Sequence, residues 1–264
     1  MRKILLLLSV VCLMAGAFGV SAAFAAQTRV VHVVVALCDN VHQRIVRVPA
    51  KLGDGGDPAN NLYWGAAYGV KTFMRKQPGW SMQTLPVPPR SPILERLAFT
   101  NKTLGVVIVA DAYKGKHIKA ATVNFLRHTA GQKHETLSVD GRTVNAGGAA
   151  GLSVYIGHNG LMDFSLDAYP HSESNGKAGG KRQAAIFACR SKDYFEEAFR
   201  AAGCHPLIWT RGNMAPEAYT LHALVTAWAS GKKAEAIRED VAAAYHKYQK
   251  CGMKGARNLF ATGW

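Results

Sequence analysis

Acidic side chains are scarce in this chain. Its 264 residues hold 17 Asp and Glu against 32 Lys and Arg, a formal charge of +15. The one spaced aspartate stretch, Gly53-Asp54-Gly55-Gly56-Asp57-Pro58, has no Glu at the EF-hand distance. Turn chemistry therefore explains it better than calcium. Cysteine is also sparse, at five. A chain of this length does not need disulfide staples to fold. No internal repeat is present. No basic stretch is interleaved with aromatics, which argues against a nucleic-acid partner. Beyond the N-terminal leader no apolar run approaches membrane-spanning length, so no further span is expected. Neither a metal site nor a cofactor is expected from any motif.

What is present begins with that leader. Met1-Arg2-Lys3 is basic, Ile4 to Val20 is apolar, and Ala23-Phe24-Ala25 offers small residues for cleavage. This reads as a signal peptide over residues 1–25. An uncleaved anchor is the rival reading, because the run is long enough to span. Cys12 lacks the small preceding residue of a lipoprotein site. Cleavage predicts an exported protein, periplasmic or extracellular, with residues 26–264 as one α/β domain. Residues from about 212 to 264 form its helical C-terminal segment. An apolar share of 48% is enough for a core. Losing Arg2 and Lys3 leaves a charge of +13, suited to lipid headgroups, envelope polymers or acidic peptides. Simple solvation is the plainer account of the same charge. The only clusters are Lys177-Lys181-Arg182 and Lys232-Lys233.

Element signals alternate. Val30 to Leu37 reads as a strand with His32 packed inside it, ending at Cys38-Asp39-Asn40. Asp57-Pro58 predicts a helix start, with Leu62, Ala66, Val70, Phe73 and Met74 on one face and a stop before Pro78. Residues 77–92, with five prolines, read as a surface connection. Ile93 to Phe99 reads as a short helix. Leu104 to Ala110 reads as a strand ending at Asp111-Ala112-Tyr113. A helix follows with Ile118, Ala121, Thr122, Phe125 and Leu126 inward, ended by Gly131. Asp140-Gly141 within Leu137–Val144 signals a hairpin. Residues 165 to 183 are a polar loop. After Cys189, Ser191 is expected to cap a helix burying Tyr194, Phe195, Ala198, Phe199 and Ala202, with Gly203 at its end. Leu207 to Thr210 is a further strand. Helices follow from Pro216 to Ser230 and from Lys232 to Lys250. The alternation predicts a three-layer α/β/α sandwich on a mostly parallel sheet.

Two short apolar runs end on reactive side chains. Leu152–Ile156 leads through Gly157 to His158, and Ala184–Ala188 leads to Cys189. If both are parallel strands, His158 and Cys189 share the carboxyl edge, where open α/β sheets bind ligands. A thiol and an imidazole brought together there form a nucleophile and its base. The position of Cys189 ahead of a helix sets its sulfur near backbone N–H groups. An oxidising compartment also permits disulfides among Cys38, Cys189, Cys204 and Cys251, for example Cys189 with Cys204. Asp39, Asn40 and Asp111 end neighbouring strands. They either line a substrate cleft that favours a basic side chain or cap their strand ends. Asp163 either orients His158 or caps a turn, the turn being the simpler reading.

The ordered pair of an apolar strand ending in His and one ending in Ala-Cys resembles the caspase-like cysteine peptidases. Ala188-Cys189-Arg190 is similar to the caspase A-C-R, and Ala188-Cys189-Arg190-Ser191 to the legumain A-C-x-S. The resemblance covers about Val30 to Thr210. It implies that Cys189 attacks a peptide carbonyl while His158 serves as base and protonates the leaving amine. It implies an oxyanion hole from the N–H of Cys189 and that of Gly160 or Asn159. Asn159 stands where the family has glycine, Ser191 replaces the glycine after A-C-R, and the His-to-Cys spacing is shorter than the roughly 50 residues of caspases. A catalytically inactive caspase-fold module binding anionic envelope components is the alternative. A structural protein with Cys189 in a disulfide is a third.

Overall fold

The computed structural model describes residues 28–172 and 182–264. The leader, with its expected cleavage site, and the basic residues Lys177 and Lys181 lie outside the described residues. In chain order the elements begin with β1 (Arg29–Ala36), α1 (Val70–Arg75), β2 (Ser81–Leu85), β3 (Ile93–Asn101) and β4 (Val106–Tyr113). Then come α2 (Ile118–Thr129), β5 (His134–Val139), β6 (Arg142–Gly147), β7 (Leu152–Ile156) and β8 (Gln183–Phe187). The last are α3 (Ser191–Ala202), β9 (His205–Thr210), α4 (Ala218–Ala229), α5 (Ala234–Gln249), α6 (Met253–Leu259) and β10 (Phe260–Ala261).

Eight strands form one mixed sheet in the order β10-β9-β8-β7-β1-β4-β3-β2. The five central strands, β4, β1, β7, β8 and β9, run parallel. β3, β2 and β10 join antiparallel at the flanks. After the exposed Arg29, β1 is an apolar run broken only by His32, because both of its faces are covered. Val31, Val33 and Val35 pack with Leu221, Leu224 and Val241 of α4 and α5. Val34 and Ala36 pack with Phe125 of α2 and Phe199 of α3. Each such aliphatic side chain contributes roughly 1.5–3 kcal/mol on burial. β5 and β6 form a hairpin, where Asp140 (φ 49°) and Gly141 (φ 72°) give the two left-handed positions its turn requires. Val139, Val144 and Ala146 of this hairpin pack on Ala98, Val107 and Val109. Among the described residues no helix is long and apolar enough to cross a membrane.

Four expectations change. Residues 57–69 are a chain of turns, not a helix; only Val70–Arg75 is helical. Asn61 explains the change. Its Oδ1 accepts from the Cys38 and Tyr63 N–H groups, and its Nδ2 donates to the carbonyls of Cys38 and Asp54. That side chain binds the stretch to the end of β1. Gly65 lies so close to the Ala59 carbonyl that a Cβ there would meet it at 2.0 Å. The stretch read as a connection contains β2, and the expected helix at Ile93 is β3, paired on both sides. Ser191 does not cap α3. Its hydroxyl bonds the Ile186 carbonyl and Thr210, tying β8 to β9.

The parallel order places β4 on one side of β1 and β7 on the other. Connections therefore leave β1's neighbourhood in opposite directions, a switch point of the kind at whose carboxyl ends open α/β sheets bind ligands. His158 follows one of those ends.

Candidate active site

The register of β7 and β8 places the two reactive residues side by side. Leu152 pairs with Gln183, and the ladder continues to Ile156 with Phe187. His158 and Cys189 each stand two residues beyond that last pair, at the carboxyl rim. The Gly157 N–H donates to the Phe187 carbonyl at 3.3 Å, extending the contact. Gly157 itself has φ +145°, and a Cβ there would lie 2.7 Å from the Ala36 carbonyl oxygen. Glycine is required at this bend. Beyond it, the Asn159 carboxamide donates to the Cys189 carbonyl at 2.8 Å, joining the two rim loops directly.

His158 is 8% exposed. Its carbonyl accepts from the Tyr155 hydroxyl at 2.8 Å, and its Nε2 lies 2.8 Å from Asp163 Oδ2. Asp163 therefore touches the imidazole, although a turn cap was the simpler expectation. The same Oδ2 accepts from the Arg44 N–H at 3.1 Å. Asn159 makes this contact possible. Its Oδ1 accepts from the Leu161 N–H and starts a single 3-10 turn, Gly160–Met162, that brings Asp163 back to Nε2 of the ring. No protein partner for His158 Nδ1 is found among the described residues.

Cys189 is half-buried and is a free thiol. Its sulfur accepts from the Met214 N–H at 3.4 Å and lies 3.6 Å from the Met214 carbonyl. Among the described residues no hydrogen bond joins it to the His158 ring. Catalytic contacts are often looser before substrate binds. No acceptor for the N–H groups of Asn159, Gly160 and Cys189 is found among the described residues. Tyr63 lies beside both Cys38 and Cys189. Its phenol is pushed up well above the usual value, first by burial and then by those thiols.

The remaining cysteines differ in kind. Burial, only partly opposed by a hydrogen bond with Tyr63, pushes the Cys38 thiol up to about 11. Burial pushes Cys204 up to about 12. Cys251 is exposed. None of the four forms a disulfide. Cys204 precedes β9 and its sulfur faces the Arg182 carbonyl at 3.4 Å, at the amino rim of the sheet. Cys189 is at the carboxyl rim, so the expected alternative of a bond between them does not occur.

Asp39 and Asn40 are at the rim, but their polar atoms are engaged. Asp39 accepts from the Val41 and His42 N–H groups and pairs with His42 Nδ1 at 2.9 Å. Asn40 exchanges hydrogen bonds with both backbone groups of Val48. These are strand-end caps that shape the loop after β1. Asp111 is a correction. It lies inside β4 and is fully buried, not at a cleft. Arg96 of β3 grips it at 2.5 and 2.7 Å, and His32 Nε2 sits 3.1 Å away. Burial works against its charge, but the bonds from Arg96 and His32 win and hold its carboxyl far below the usual range. Arg96 also reaches Glu135 at 2.6 Å. His32 is thus a packed histidine, accepting the Gly147 N–H at Nδ1 and facing Asp111 through Nε2.

Sequence reasoning missed the roles of Met214, Tyr63, Asn61 and Arg44. Met214 and Arg44 act through backbone groups, which carry no residue-type signal. Comparison of the chain with protein-family models, curated proteins and solved structures found no match.

Proposed function

We propose that this chain is an exported cysteine peptidase of caspase-like type, with Cys189 as nucleophile and His158 as base. The three-layer caspase-like arrangement belongs to the same reading. The observation that carries it is the shared rim: matched register in β7 and β8, with Asn159 bonded across to Cys189. The Cys189 S–H proton passes to His158. The sulfur attacks the peptide carbonyl carbon and the oxygen takes up negative charge. The N–H of Cys189 and that of Asn159 or Gly160 stabilise that oxygen, each worth about 3 kcal/mol. The C–N bond then breaks as the imidazolium gives its proton to the leaving amine. Water attacks the resulting thioester, His158 takes its proton, and the acid product leaves as the thiol is restored.

The expected preference for a basic side chain loses its basis, because Asp39 and Asp111 are both committed to internal partners. A second reading is favoured by the bonding of the Cys189 sulfur to the Met214 backbone rather than to His158. It is a catalytically inactive caspase-fold module whose basic surface binds anionic envelope components. Incubation with a peptide library decides between them. Peptidase action predicts cleavage by the wild-type chain and none by Cys189→Ala. Binding of anionic vesicles with no cleavage, even after proteolytic activation, supports the module instead.

A further inference from the structure

We infer that Asp163 is the positioning residue of a Cys189–His158–Asp163 triad, installed by the asparagine that replaces glycine after His158. The inference rests on the peptidase reading for its catalytic meaning. Its physical content stands without that reading.

Asp163 Oδ2 is 2.8 Å from His158 Nε2, with side chains only 13% and 7% exposed. An ionised carboxylate can only accept, so the contact puts the ring proton on Nε2. That leaves the lone pair on Nδ1, the nitrogen with no protein partner among the described residues. Nδ1 is thus the ring nitrogen left to accept a thiol proton.

The delivery of Asp163 is local. A glycine at position 159 could not cap the Gly160–Met162 turn, because the cap is the Asn159 Oδ1 accepting from Leu161. Within that turn the Asp163 N–H bonds the Gly160 carbonyl at 2.9 Å, so the aspartate returns to the histidine five residues before it. Gly160 suits the same closure, since a Cβ there would meet the Phe164 ring at 2.7 Å and displace it. The other end of Asn159 holds the Cys189 carbonyl. One side chain therefore ties together the nucleophile's loop and the turn that carries the carboxylate.

Asp163 is in turn fixed from outside. The Arg44 N–H, in the loop after β1, donates to the same Oδ2. That loop exposes Val41 at 83% and Val46 at 92%.

The test reads the ring proton of His158 by nitrogen-15 NMR of the full chain at about pH 8, above the ordinary imidazole range. His158→Gln assigns the signal. The wild-type protein is expected to carry the proton on Nε2, and Asp163→Asn to shift it partly or wholly to Nδ1. A proton on Nδ1 in the wild type, or an unchanged tautomer in Asp163→Asn, overturns the inference. The wild-type spectrum alone decides if the variant does not fold. In a cleavage assay Asp163→Asn is expected to lower kcat about 100-fold with KM little changed. An equal kcat overturns the triad. Wild-type protein that cleaves nothing yet shows the Nε2 proton refutes the peptidase reading and leaves the positioning geometry intact.

Discussion

Replacing Asp111 with Asn is expected to destabilise the protein by about 3 kcal/mol while leaving the carboxyl rim undisturbed. The substitution keeps shape and removes one negative charge from a fully enclosed cluster. Arg96, 1% exposed, would lose a two-bond partner at 2.5 and 2.7 Å. Breaking a buried pair from one side costs roughly 3–5 kcal/mol, because the remaining charge is left without compensation. Glu135 at 2.6 Å still faces Arg96, which places the value at the lower end. For a chain of this size that corresponds to a Tm lowered by about 6–12 °C. Urea unfolding of wild type and variant measures it, provided the slope m is unchanged. A difference below about 0.5 kcal/mol, the range of ordinary surface substitutions, refutes the buried-pair account. If Asp111 instead lined a cleft, the variant would keep its stability and change substrate affinity.

Two further outcomes follow from the same geometry. His128 packs against His32 at 4.4 Å with neither ring nitrogen bonded among the described residues, and burial, then His32 and Lys133, push its imidazole well below its usual 6.5. The unfolded ring takes up a proton below about pH 6.5 and the folded ring does not, so stability present above that pH is lost on acidification, at about 1.4 kcal/mol per pH unit. His128→Phe is expected to flatten this slope between about pH 6.5 and 5, as read by unfolding at each pH. His222 shifts in the same direction, so part of the slope stays. An unaltered slope contradicts the assignment. Gly157→Ala is expected to cost roughly 1–3 kcal/mol through its left-handed backbone and its approach to Ala36. Unchanged unfolding would show that the bend tolerates a side chain.

The parts of the fold that rest on short-range chemistry were legible in the residues. Glycine after an apolar run marked the end of β7, Asp140-Gly141 marked the hairpin, and Gly203 ended α3 in the left-handed conformation. The parallel strands carrying His158 and Cys189 were legible for the same reason. What escaped depended on distant partners. β3 is buried along most of both faces, so it shows no alternation, and its apolar residues fit helical spacing as well. Misreading β3 hid Arg96, and without Arg96 a carboxylate at position 111 could only be placed outside the sheet. Arg96 and Asp111 are in fact cross-strand neighbours in register. Likewise Asp57-Pro58 is a sound helix start, but Asn61 satisfies backbone groups of Cys38, just after β1, rather than continuing a helix. The short α6 and β10, closing the sheet against β9, had no strong periodic signal.

The central claim is that the Cys189 thiol and the His158 imidazole act on one another at a shared rim. Alkylation of the native chain in a Cys251→Ser background, mapped by peptide mass, tests this with no need for a substrate. The account predicts that Cys189 reacts well ahead of the buried Cys38 and Cys204, and that His158→Ala slows it at least about tenfold. A Cys189 rate untouched by the loss of His158 would contradict it.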